Sequence, residues 1–133
     1  MTEVDQQTLE QLEKDVWPEP EFGSYLVATC NQLRKKRLCD FTVEDLRIMI
    51  GQGIGIKFLP PKAIEVLKEN PFAEGDFYEG DLLVQVVRLE QSLLEADQSI
   101  YQELIRITVI ALGSSDPVFS NADHTYMERF IEQ

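Results

Sequence analysis

The stretch that most constrains this chain runs from residue 41 to residue 83, FTVEDLRIMIGQGIGIKFLPPKAIEVLKENPFAEGDFYEGDLL. Thr42 stands where an N-cap hydroxyl would, and Asp45, three positions on, completes a variant of the capping box. Behind that cap Val43, Leu46, Met49 and Ile50 recur at three- and four-residue spacing, so they share one helix face. Gly51 stands where the pattern stops, as a left-handed terminator would. A turn spaced by Gly51, Gly53 and Gly55 leads to Pro60-Pro61. Proline suits a first helical turn, because the N–H it lacks has no intrahelical partner there. In that second helix Ala63, Ile64 and Leu67 form the apolar stripe, and Asn70-Pro71 ends it. The stretch predicts two short helices packed as a hairpin, followed by a loop rich in acids and aromatics.

The flanks read as further helices. Residues 5–15 carry only Leu9, Leu12 and Val16 as a thin stripe, and Trp17-Pro18-Glu19-Pro20 breaks it, with Trp17 and Phe22 as anchors of the crossing segment. A helix is predicted from Ser24, its cap, to Lys36, with Leu26, Val27, Cys30 and Leu33 facing inward. After Gly80, the run LLVQVVRLE has strand-like β-branched content. Its Leu82, Leu83, Val86 and Val87 nevertheless fit a helix face capped by Asp81, and a lone strand would have nothing to pair with. Residues 97–112 are apolar on most sides, the pattern of a buried central helix, and a tail helix at 123–132 offers Tyr126, Phe130 and Ile131. The expected fold is all-α: a single compact domain over residues 1–133 with six or seven helices. A chain of 133 residues that is 44% hydrophobic can bury such a core without disulfides or a structural metal. Cys30 and Cys39 have no metal-type spacing and are expected to be buried thiols.

Charge narrows the partners. The net charge is −12, unevenly spread: seven acids and one base in residues 1–33, four acids and eight bases in 34–68, nine acids and one base in 69–105. A phosphate backbone or an anionic membrane surface demands clustered Lys and Arg, so neither nucleic acid nor membrane is an expected partner. The one basic run, Arg34-Lys35-Lys36-Arg37, follows an apolar-periodic stretch and is expected to sit at a helix C-terminus, against its dipole. The N-terminus has neither the basic start nor the apolar core of a secretory signal, which leads us to expect a cytoplasmic protein.

Catalytic patterns are missing from the sequence. His124 is the one histidine, no serine sits in G-x-S-x-G, and GQGIG at 51–55 lacks the lysine and spacing of a P-loop. No catalytic, metal or cofactor residues are assigned. Glu74, Asp76, Glu79 and Asp81 crowd eight positions but do not match an EF-hand. They could form a solvated loop with Asp81 as a cap, or, less readily, the paired carboxylates of a hydrolase. The functional reading is a recognition surface in which Glu74, Asp76, Phe77, Tyr78 and Glu79 set aromatic anchors, with Phe72 nearby, within a charged rim.

Three pieces of the organising stretch, FTVEDLRIMIGQ (41–52), PPKAIEVLKENP (60–71) and AEGDFYEGDLL (73–83), resemble the signature of contact-dependent growth inhibition immunity proteins. The resemblance covers about a third of the chain. It implies a small cytosolic bacterial protein that binds, as a one-to-one heterodimer, the C-terminal toxin domain of a large secreted adhesin. Such toxins are often nucleases, whose basic clefts would attract an acidic inhibitor. The alternative class is a non-catalytic acidic adaptor or nucleic-acid mimic outside toxin immunity.

Overall fold

Thr42 accepts a hydrogen bond from the Asp45 amide at 3.1 Å while the Asp45 carboxylate accepts from the Thr42 amide at 3.0 Å, the reciprocal cap that the sequence predicts. The computed structural model describes residues 4–18, 25–89, 96–114 and 119–132, and this cap opens one of the α-helices among them. These are α1 (Leu9–Glu13), α2 (Tyr25–Leu33), α3 (Val43–Gly51), α4 (Leu59–Glu69), α5 (Asp81–Val87), α6 (Gln98–Leu112) and α7 (Asn121–Ile131), with short 3-10 turns at Val4–Gln6 and Leu38–Asp40. The fold is all-α; the described β-type pairing is one isolated bridge between Thr8 and Arg37. Phe22 and Ser24 lie outside the described residues.

α3 ends differently from the sequence reading. Gly51 is its last helical residue, and the left-handed position falls to Gly53, at φ +71°. The Gly53 amide donates to the Ile50 carbonyl and the Ile54 amide to the Met49 carbonyl, at 3.0 and 2.9 Å. That pair of bonds is a Schellman motif, and it turns Ile54 back onto the core. α4 then carries Pro60 and Pro61 in its first turn and buries Ala63, Ile64 and Leu67 as expected.

α3 packs against both α4 and α5, so the hairpin has a third member that organises it. The ambiguous run after Gly80 is helix α5, and it is the buried one: Leu82, Leu83, Val86 and Val87 have no exposure and Val84 has 2%. β-branched residues lose little here, because a helix surrounded by α3, α4, α6 and α7 recovers their packing on every side. The central role expected of 97–112 is corrected accordingly. α6 buries Tyr101, Leu104, Ile107 and Ala111 but leaves Val109 and Ile110 half-exposed or more. It joins α7 through an edge-to-face contact of Tyr101 with Phe130, their centroids 5.5 Å apart.

The basic run is also corrected. No basic residue lies in the last turn of α2. Arg34 is buried at 1% exposure, paired with Glu13, donating to the Asp15 carbonyl, and stacked 4.2 Å from the Trp17 ring. Lys36 pairs with Asp45 at 2.6 Å and Arg37 with Asp40 at 3.1 Å. These cations stitch the N-terminal segment and the start of α3 to the turn after α2. Of the two thiols, Cys30 is buried and burial raises its pKa, whereas Cys39 is only half-buried.

Candidate functional site

The loop between α4 and α5 is shaped from beneath by two carboxylates. Asp81 was expected to cap α5, but the N-cap is Gly80, at φ +86°, and Asp81 is the first helical residue, 1% exposed. Its side chain points back along the chain. One oxygen accepts the Gly75 amide at 2.6 Å; the other accepts the amides of Phe77 and Tyr78 at 3.1 and 3.3 Å. The fourth amide in the series, that of Asp76, donates to Glu44 at 2.8 Å. Four successive N–H groups of the loop are thus tied to α5 and α3, the satisfaction that a buried carboxylate needs.

Arg47 joins the two anchors. It is 9% exposed, bonds Glu44 in a two-pronged contact with Nε at 2.6 Å, and lies 3.7 Å from Asp81. Its guanidinium also covers one face of the Phe77 ring at 4.0 Å from the centroid. The hydrogen bonds from Arg47 hold the Glu44 carboxyl below its ordinary pKa, and the same contact raises the pKa of Arg47. Space at this node is tight: a Cβ on Gly75 would stand 2.5 Å from a Glu44 oxygen and would push that carboxylate off the Asp76 amide and Arg47.

With the amides turned inward, Glu74, Asp76, Phe77, Tyr78 and Glu79 all face solvent. Phe77 is 71% exposed and Tyr78 37%. Tyr78 is not free, since its hydroxyl donates to Asp123 of α7 at 3.2 Å, and Asp123 also takes Arg88 at 3.3 Å. Burial, then the Asp123 charge, raises the Tyr78 pKa. Phe72 turns inward instead, its ring 6.0 Å from that of Phe119. The five residues proposed from sequence therefore share one surface, with Phe77 as its protruding aromatic.

Sequence reasoning missed Glu44 and Arg47. The available signal was a charged pair three apart, with Arg47 set among Val43, Leu46 and Ile50 on an otherwise apolar face. It also missed the apolar start of α2. Tyr25, Leu26 and Val27 are 85%, 38% and 49% exposed, although Leu26 and Val27 were expected inside. Leu26 and Phe77 flank a groove of about 340 Å³ whose other walls include Ile48, Gln52, Gln85 and Arg88.

A model of CDI (contact-dependent growth inhibition) immunity proteins matches residues 11–104. The chain belongs to this family. No curated protein and no solved structure gives a significant match. The loop, Glu44, Arg47, Asp81 and the groove all lie inside the matched segment, whereas Asp123 lies beyond it. Membership gives this immunity protein a cognate CDI toxin as partner. His124 sits in the first turns of α7, 2.7 Å from Glu128. Among the described residues no group of three His, Cys, Asp or Glu side chains is placed to hold a metal ion, and no helix is long and apolar enough to cross a membrane.

The Glu44 node has a pH signature. Its folded pKa lies below the ordinary 4.5, so the unfolded chain binds its proton first as pH falls. The contribution of Glu44 is fully present above about pH 4.5 and is lost as pH drops through the lowered folded value. Thermal midpoints of the wild type and Glu44→Gln are expected to differ most near neutrality and to converge in the acid limb. A gap that stays constant down to pH 3 would contradict the assignment.

Proposed function

We propose that this immunity protein neutralises the toxin domain of a CDI adhesin by one-to-one binding in the cytoplasm, without turnover of its own. The toxin in this reading is a nuclease with a basic surface. The contact is made by Glu74, Asp76, Phe77, Tyr78 and Glu79. The observation that carries the reading is the loop's construction. Every amide from Gly75 to Tyr78 is used internally, leaving carboxylates and a pinned Phe77 outward. A loop fixed in advance loses little entropy on binding, and its free carboxylates steer a cationic partner.

The test is association kinetics with the cognate CDI toxin domain, at low and high salt. Changing Glu74, Asp76 and Glu79 together to Lys is expected to slow association roughly tenfold or more and to flatten its salt dependence. Phe77→Ala is expected to speed dissociation by about 2 kcal/mol, the size of an interface hot spot. Tyr78 belongs to the surface but is partly occupied by Asp123, so Tyr78→Phe separates that latch from the contact. Unchanged association in the triple variant together with unchanged dissociation in Phe77→Ala would remove the loop from the interface.

A further inference from the structure

We infer that the groove beside the loop receives one apolar side chain of the toxin, presented on a basic segment; this rests on the loop being the toxin-facing surface. The groove lies between the start of α2, the end of α3, the loop and the end of α5. Its apolar walls are Leu26, Ile48 and Phe77. The two cations beside them are already engaged, Arg47 by Glu44 and Asp81, Arg88 by Asp123. Beside these paired cations the groove offers a visitor the apolar surfaces of Leu26, Ile48 and Phe77 among the polar groups of Gln52, Gln85 and the exposed Arg88.

Its position explains an exposure that folding alone does not. Phe77 could lower its apolar exposure by folding inward, yet Arg47 holds one ring face and Asp81 holds its amide. Leu26 belongs to the first turn of α2, where Tyr25, Leu26 and Val27 are exposed while Cys30 and Leu33 further along are buried. Apolar walls kept apart by fixed polar contacts describe a seat for an anchor residue. About 340 Å³ lies at the low end of pocket sizes, roughly 300–1,000 Å³, which suits a single large side chain better than a substrate.

Charge selects the occupant. Glu74, Asp76 and Glu79 are exposed on the loop that carries Phe77, and their side chains make no ion pair among the described residues. A second copy of this chain would bring its own net charge of −12 against that rim. A basic segment gains from the rim while its apolar residue fills the groove, the division between steering and anchoring found at tight interfaces.

The experiment plugs the groove and leaves the rim intact. Gln52 is exposed on the groove wall at a helical C-cap, where tryptophan is sterically allowed. Gln52→Trp is expected to speed dissociation of the cognate toxin domain at least tenfold with little change in association. Leu26→Ala, at a partly exposed site that should not threaten folding, is expected to speed it several-fold. Gln102→Trp, on the exposed side of α6, serves as control and is expected to change neither rate. If both groove variants bind as wild type while the triple charge reversal binds poorly, the groove proposal falls and the loop proposal stands. If groove variants and loop variants alike bind as wild type, both fall. Equal weakening by Gln102→Trp would overturn the specific seat as well.

Discussion

Asp81→Ala is expected to cost about 3–5 kcal/mol, a large share of the roughly 5–15 kcal/mol by which a domain of this size is stable. The carboxylate is 1% exposed and accepts the amides of Gly75, Phe77 and Tyr78. Alanine would strand those donors and leave the buried Arg47 with Glu44 alone. Asp81→Asn keeps the shape and one acceptor oxygen but turns the second position into a donor facing the Phe77 and Tyr78 amides. About 2 kcal/mol should go, in line with losing hydrogen bonds to a charged group. Urea unfolding at pH 7 reads both variants, and an unchanged denaturant slope would show that the folded state keeps its extent. A cost below about 1 kcal/mol for alanine would mean that water replaces the carboxylate and that the loop is not built on it. The binding consequence separates this residue from the surface ones. Because the variant frees the loop, toxin dissociation should accelerate even though Asp81 itself touches nothing outside the fold.

How far the chain could be read in advance depended on whether a signal was local. The box of Thr42 and Asp45, the prolines of α4 and the stripe of Ala63, Ile64 and Leu67 are settled within a few residues, and they stand as expected. Asp81 went astray because a carboxylate just after a glycine satisfies the local rule for a cap, while its actual donors lie up to six residues back, in the loop. Hydrophobicity alone marks α6 as the central helix, because it counts side chains without saying which neighbours reach them. Val109 and Ile110 are as apolar as Val86 and Val87, but only the latter pair is enclosed by other helices. Arg34 was assigned to a helix end by its run of cations, and its burial depends on Glu13 and Trp17, which precede it by 21 and 17 positions. The outward placement of Phe77 was legible in composition. The reason it stays outward, Arg47 on its ring and Asp81 on its amide, was not.

Arg34 yields an asymmetric expectation that tests how the N-terminal segment is held. Its partner Glu13 is 30% exposed, whereas Arg34 itself is 1% exposed. Removing the exposed member, by Glu13→Ala, leaves a buried guanidinium with the Asp15 carbonyl and the Trp17 face as its remaining contacts, and should cost about 3 kcal/mol. Removing the buried charge while keeping the stem, by Arg34→Met, leaves the Glu13 carboxylate and the carbonyl of exposed Asp15 to water and sets an apolar chain against Trp17. Replacement of a buried ion pair by a well-packed apolar group is often neutral, so that variant should lose less than about 1 kcal/mol. Arg34→Ala loses both the charge and the packing and should return to about 3 kcal/mol. Trp17 is the sole tryptophan, so its fluorescence reports on this corner directly, alongside circular dichroism for the whole fold. In Glu13→Ala the fluorescence transition should precede the global one, because Trp17 stacks on the Arg34 that loses its partner, whereas Leu9 stays anchored by its own burial and by the Leu38 amide's bond to the Gln7 carbonyl, at 3.0 Å. Were Arg34→Met to cost as much as Glu13→Ala, the ion pair itself would be the stabilising element, and the apolar contact with Trp17 would be secondary.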